Sequence, residues 1–439
     1  MRLRALLLFL VALLPFAPVP AHAFATTPTE AAALAAAHED HTAYTLPPDK
    51  LAKAETLSKI RTIVTFGGAL WGIVLLVLIL QLGIVAKMRN VAVNLSKNRW
   101  AQGFTFFLEF LIITTLLGLP IDLYEQHIRR SYGLSVQGWA SWVGDMFKSL
   151  GLTFLFGGLG VMLLFWLIRK FPKRWWLALW VPTMIFTILG IFATPYIIDP
   201  LFNKFEPLTK SNPALVDQLQ KVVARGKGIN IPPERMFLMK ASDKVTTLNA
   251  YVTGFGASKR VVVWDTSIAK GTTDEILFIF GHEMGHYVLG HIVSTMIFSF
   301  AFTLLSFFIG FHFFQFLLKR FGAQWRVHSQ DNWAALVVFI LVLQVIGFVG
   351  QPIMSAYSRA HEHAADVYGL EVVHGIVADP QKTGQDAFQL LGENSFSAPD
   401  PSPLVEFWTG SHPPIWLRAA FAKHYDPWAP NAAPKYFQK

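Results

Sequence analysis

The sequence predicts a mainly α-helical, polytopic membrane protein with one polar extramembrane region that holds a small β-sheet. Three observations carry this. Of 439 residues, 53% are hydrophobic and only 15% charged, with a mean hydropathy of +0.42, which is too apolar for an ordinary soluble chain of this length. Six long apolar segments recur along it, separated by short basic clusters. Between Pro200 and Gly281 the composition turns polar and mixed, with short strand-like runs.

The elements follow in order. Arg2 and Arg4, the short apolar core from Ala5 to Leu14 and Ala21-His22-Ala23 have the layout of a secretory signal cleaved after Ala23. The apolar core is short for a membrane helix and is followed by Pro15, Pro18 and Pro20. Residues 24–60 are rich in Ala, Thr and Pro and read as a polar linker or a loose helix. The apolar segments are 62–86, 104–121, 150–168, 175–198, 292–318 and 333–357. A helix needs about 20 apolar residues to cross a bilayer. Segment 104–121 holds Glu109, and 292–318 holds His312. The expected organisation is therefore a signal over 1–23, a linker over 24–60, a membrane domain of four helices over 61–200, and a domain over 201–439 that contains the last two spans.

Charge orients these segments. Lys87, Arg89, Lys97 and Arg99 form one basic loop, Arg169, Lys170, Lys173 and Arg174 a second, and Lys319, Arg320 and Arg326 a third. They alternate as loops on one side of a membrane do and belong in the cytoplasm. By the same alternation, the long 199–281 segment and everything after Tyr357 lie opposite. The net charge of +9 is accounted for by these clusters, and a nucleic-acid partner has no support. Absence of cysteine excludes disulfides and thiolate ligands. In the polar region, Leu215, Leu219, Val222 and Val223 recur at helical spacing, Val261 to Trp264 reads as a strand, and Asn249 to Gly256 is its expected partner.

Chemistry concentrates at Gly281-His282-Glu283-Met284-Gly285-His286. Thr272 and Glu275 are spaced as a capping box before it. Residues four apart share a helix face, so His282 and His286 offer two imidazoles to one zinc ion, with Glu283 beside them as a general base. Two histidines and an acid near a membrane helix are costly without a purpose. A catalytic zinc needs a third protein ligand. His291, five residues past His286, is off the shared face, and His312 lies several turns away. Glu362 and Asp366 share a face after the last apolar segment, the first a candidate ligand and the second a candidate acceptor for a ligating histidine's N–H. On spacing alone, an acidic helix start is as compatible with a solvated face.

These residues, with several further stretches, resemble the membrane-integrated CAAX prenyl endopeptidases and their bacterial relatives, zinc peptidases of the gluzincin kind. The likeness runs from about Leu46 to the C-terminus. It is carried by Leu119-Pro120 with Tyr124 and Tyr132-Gly133-Leu134, by Pro200 to Phe205 with Pro207-Leu208, and by Asn249-Ala250-Tyr251, Gly254, Lys259 to Val262 and Asp265-Thr266. His282-Glu283 with Gly285-His286, Ser358-Arg359 with Glu362 and Asp366, and Ser411-His412-Pro413-Pro414 with Arg418 complete it. The resemblance implies a helical chamber in the membrane, one zinc held by His282, His286 and Glu362, and endopeptidase activity on peptide or protein chains that enter it. It also implies that Asn249 and His412 line the cleft, Asn249 able to hold substrate backbone and His412 to steady an oxyanion. Without it, the two read as a turn-forming Asn and a surface His-Pro turn. Arg418 is expected to pair with an acidic neighbour. Eukaryotic members begin with a true membrane helix and face the cytosol, whereas the apparent signal and the charge rule put this site on the periplasmic side of a bacterial inner membrane. A broad quality-control protease for membrane proteins is the alternative enzyme. A receptor or transporter on a peptidase fold would be expected to have lost Glu283 or a ligand, and none is lost.

Overall fold

The computed structural model describes residues 26–226, 230–254 and 259–438; the signal read over 1–23 lies outside them. Among the described residues, six helices are long and apolar enough to cross a membrane: Pro48–Gln81, Arg99–Ser131, Trp139–Lys170, Trp175–Phe202, His291–Phe321 and Ala335–Val372. All backbone groups in such a helix are satisfied within it, as a hydrocarbon setting demands. Several run past the apolar stretch. The first begins in the polar segment at Pro48, so a boundary near residue 60 falls inside one helix, and the third begins at Trp139 and continues through a π-helical turn at Thr153–Gly157. Ala335–Val372 has 38 residues, about 57 Å at 1.5 Å per residue, against a hydrocarbon core of about 30 Å. Its last turns therefore project out of the bilayer, with Glu362 and Asp366 on them.

The two ends of the bundle differ. At one end the basic loops meet: Arg99 and Arg169 both reach Asp331, at 3.0 and 3.2 Å, Arg89 donates to the Arg326 carbonyl at 2.7 Å, and Gln330 donates to the Pro172 carbonyl at 3.0 Å. At the other end, Val136 N–H donates to the Lys244 carbonyl at 2.9 Å, which joins the turn after the second span to the polar domain.

That domain carries a four-stranded sheet, with β1 Phe205–Pro207, β2 Met236–Met239, β3 Ala250–Thr253 and β4 Arg260–Trp264 in the order β1-β2-β4-β3. β4 is central, and Val261, Val262 and Val263 are fully buried. β3 pairs antiparallel with β4 on one side and is the edge strand on the other. Helix Pro213–Arg225 buries Leu215, Leu219, Val222 and Val223, the apolar stripe its sequence shows.

Over the described residues 26–60 the polar stretch is packed against the rest of the chain. Thr27 and Glu30 form a capping box at the start of helix Pro28–Glu39, which packs against helix Ile415–His424. Glu30 is 1% exposed and accepts hydrogen bonds from His363 Nε2 at 2.9 Å and Lys435 Nζ at 3.0 Å. Burial raises its pKa, but these two donors outweigh burial and hold it below the usual carboxylate range. Glu371, fully buried, accepts from Tyr425 OH and from the backbone N–H groups of Lys435, Tyr436 and Phe437. Both ends of the described chain are thus fastened to the helix that carries Glu362. Glu30→Ala leaves the Lys435 ammonium without its carboxylate partner in a largely buried site and His363 Nε2 without its acceptor, and is expected to cost about 3–5 kcal/mol. Thermal unfolding in detergent and limited proteolysis within 26–47 measure this; an unchanged melting temperature and cleavage pattern would show the contact to be incidental.

Candidate metal centre

Helix Thr273–Val288 begins at a capping box: Thr272 N–H donates to Glu275 Oε2 at 2.7 Å, and Glu275 N–H to Thr272 Oγ1 at 3.3 Å. Ile276 to Phe280 are buried next and lock the helix in the core before His282 is reached. The helix then crosses the projecting end of Ala335–Val372 without room for side chains. A Cβ on Gly281 would stand 2.7 Å from Val372 Cγ1, one on Gly285 3.0 Å from Tyr368 Cβ, and one on Gly369 3.0 Å from the His282 nitrogen.

That approach brings three groups to one point. His282 Nε2 is 3.1 Å from His286 Nε2. Glu362 Oε2 is 3.3 Å from His282 Nε2, and Glu362 Oε1 is 3.5 Å from His286 Nε2. Tetrahedral coordination with bonds of about 2.0–2.1 Å separates neighbouring ligand atoms by about 3.3 Å, so the spacing suits a zinc-sized ion. Glu362 Oε2 is buried and has no well-aligned hydrogen bond; His282 Nε2 and His412 Nε2 stand 3.3 Å from it and Arg418 3.6 Å, and an ion between the three ligand atoms would satisfy it more fully. The donor set is all nitrogen and oxygen.

Around this trio the remaining groups are held in place. His282 Nδ1 lies 2.8 Å from Asp366 Oδ1. Arg418 grips both oxygens of Asp366, Nε to Oδ2 at 2.8 Å and an Nη to Oδ1 at 2.7 Å, a fork geometry that fixes the carboxylate plane. Burial disfavours a charged His282, but hydrogen bonds to Asp366 and Glu362 outweigh it and carry the ring up to about 9. Burial and the neighbouring His282 push His286 down to about 3. Glu283, one residue on, is pushed up to about 7, mainly by burial, while the Val252 backbone N–H favours its charged form.

Glu283, His286 and Glu362 face a cavity of ≈ 650 Å³, whose far wall includes Ile191, Met296 and Met354 from the membrane helices. His412 Nε2 lies 3.3 Å from Glu362 Oε2, with its side chain 54% exposed, and its Nδ1 is 2.9 Å from Ser411 Oγ. Asn249 is exposed at the entry to β3, its N–H donating to Ser267 Oγ at 2.9 Å. β3 packs against the motif helix.

His291 is not in the trio, yet its Nδ1 lies 3.0 Å from His286 Nδ1. Gly290, left-handed at φ 71°, breaks the helix and turns the ring back, so the helical face count that places His291 away from His286 ceases to apply. His361 stacks on His291 with centroids 4.1 Å apart. The sequence signal for this pair was the glycine before His291. His312 lies away from the centre, between the rings of Phe308 and Phe311.

With this geometry established, comparison with known proteins becomes specific. Residues 34–204 match the CAAX prenyl protease N-terminal family, described as having five membrane helices; four of the candidate spans begin and end within or near that range. Residues 209–426 match peptidase family M48. An uncharacterized metalloprotease, YhfN, of Bacillus subtilis is 32% identical over 378 residues, 86% of each chain. CAAX prenyl protease 1 of Saccharomyces cerevisiae is 30% identical over 289 residues, 62% of each chain. The crystal structure of S. mikatae Ste24p superposes with a TM-score of 0.72 at 24% identity, covering 90% of this chain and 99% of that one, which establishes the shared fold. The chain belongs to the M48 family of metallopeptidases and is a multi-pass membrane protease of peptides or proteins.

Proposed function

We propose that this protease uses one zinc ion per chain, held by His282, His286 and Glu362, to hydrolyse polypeptides that enter the cavity between the sheet and the membrane helices. The observation that carries the reading is the convergence of three ligand atoms at 3.1, 3.3 and 3.5 Å with Glu283 on the same cavity wall. Bound there, zinc supplies Lewis-acid chemistry that makes water a nucleophile near neutral pH. Glu283 takes the proton of the attacking water and returns it to the leaving amine. Asp366, clamped by Arg418, fixes the ring orientation and tautomer of His282. His412, at the mouth of the cavity, donates to the developing oxyanion. β3 is an edge strand, the kind of element against which an extended substrate pairs, with Asn249 at its entry holding substrate backbone.

In this reading residues 61–200 serve as the membrane domain and 201–439 as the peptidase domain. The grouping of basic loops at one end of the bundle supports a cytoplasmic position for that end, which puts the metal centre on the periplasmic side of a bacterial inner membrane. Some relatives are named for CAAX prenyl substrates; the cavity's mixture of Met, Ile, Thr and Ser side chains fits apolar peptide side chains with or without a lipid.

Purified protein should contain about one zinc per chain by elemental analysis. His286→Ala or Glu362→Gln should lower that content, the latter because an amide is a poorer ligand than a carboxylate. Full occupancy in His286→Ala would put the metal elsewhere. Glu283→Gln should retain zinc and bind substrate normally, yet cleave an internally quenched peptide about 100- to 10,000-fold more slowly. Near-normal turnover would exclude Glu283 as the base. For orientation, the absence of native cysteine permits single-cysteine labelling. A cysteine at Ser411 should react with an impermeant maleimide in intact spheroplasts, and one at Ser96 only after lysis; the reverse pattern would place the metal centre in the cytoplasm.

A further inference from the structure

His412 sits in a loop, half exposed, where backbone alone gives a side chain little registry. The loop nonetheless begins from a well-anchored point. It leaves the short helix Pro403–Thr409, whose Glu406 carbonyl accepts the capping N–H of Gly410 at 3.0 Å. A single Arg359 nitrogen donates to two of the carbonyls there, Glu406 O at 3.1 Å and Gly410 O at 2.7 Å. Four residues before Arg359, Ser355 Oγ donates to the Trp408 carbonyl at 3.2 Å, and the Trp408 indole donates to the Phe348 carbonyl at 3.1 Å. Phe348, Ser355, Arg359 and Glu362 all belong to Ala335–Val372. Gly410 is the pivot: a Cβ there would lie 2.6 Å from the Glu406 carbonyl oxygen, and the next two residues are Ser411 and His412.

We infer that Arg359 is a positioning residue for His412: it fastens the helix that launches the His412 loop to the same rigid helix that carries Glu362. Arg359 and Glu362 are one helical turn apart on the same helix, so the point from which the His412 loop departs is fixed relative to the Glu362 carboxylate. The two N–H bonds of one guanidinium nitrogen are held in the plane of a permanently charged group, whereas a lysine ammonium reaches the same region as a point charge whose N–H bonds rotate freely. The role of Arg359 is mechanical: it belongs neither to the ligand trio nor to the lining of the cavity. The inference rests on the proposed action of His412 on the oxyanion.

The test is a double-mutant cycle with Arg359→Ala, Arg359→Lys, His412→Ala and the Arg359→Ala/His412→Ala pair. It uses the full-length zinc-loaded enzyme in detergent and an internally quenched peptide, with kcat, KM, zinc content and melting temperature measured for each. Arg359→Ala should lower kcat about 10- to 100-fold, the scale of a misplaced catalytic group, with KM, zinc and melting temperature little changed. Arg359→Lys should restore part of the rate. In the His412→Ala background, Arg359→Ala should add less than about twofold. An equal loss in both backgrounds, or a loss that follows zinc or melting temperature, overturns the inference while leaving His412 in its role. A normal kcat in His412→Ala removes the reading of His412 itself, and the inference with it.

Discussion

The centre depends on a helix crossing too tight for side chains. Gly281 and Gly285 on the motif helix meet Val372, Tyr368 and Gly369 on the last span. Small residues spaced by four let helix backbones approach closely, and here the closeness has a chemical result. Glu362 lies some 80 positions after His282 in sequence, yet its carboxylate must end within ligand distance of two imidazoles. A side chain at any of the three glycines would hold the helices apart and draw Glu362 away from the histidines. Gly285 lies between the two imidazoles in sequence and faces the neighbouring helix, so one turn of helix serves two surfaces.

From that crossing, support spreads in both directions along the last span. Asp366 and Arg418 steady the deeper side of His282, His291 stands behind His286, and Glu371 collects the C-terminal backbone. A single long helix therefore carries Glu362, Asp366 and the tail anchor Glu371 together. Its 38 residues exceed what a bilayer requires, and the surplus is what lifts a membrane span into a soluble active-site wall. Glu30, Asp366 and Glu371 are each matched by donors, which is how a cluster of charges is kept inside a packed domain.

Much of this was legible in the sequence because it is local. Hydropathy located the six spans, the alternation of Lys and Arg grouped the basic loops that meet at Asp331, and the i, i+4 spacing of His282 and His286 gave their shared face. The Thr272–Glu275 capping box and the stripe from Leu215 to Val223 follow from helical periodicity. Glu362 was a candidate by spacing and became specific only through family resemblance, because which acid meets a distant pair of histidines is decided by tertiary packing. Other features were hidden for the same reason. The polar composition of 24–60 describes its solvent face and not the buried Glu30, Ala33, Ala37 and Tyr44. His291 was set aside by a face count that assumes an unbroken helix, and Gly290 breaks it.

The meeting of two segments so far apart in sequence has a consequence for folding. Glu30 and Lys435 are 405 positions apart, and Thr29 Oγ1 accepts from the Ala433 backbone N–H at 3.3 Å. Contacts of that separation come late, because the entropy of closing a long loop must be met before they reward it. The wall behind Glu362 is therefore among the last parts of the molecule to be completed, after the local helices have formed.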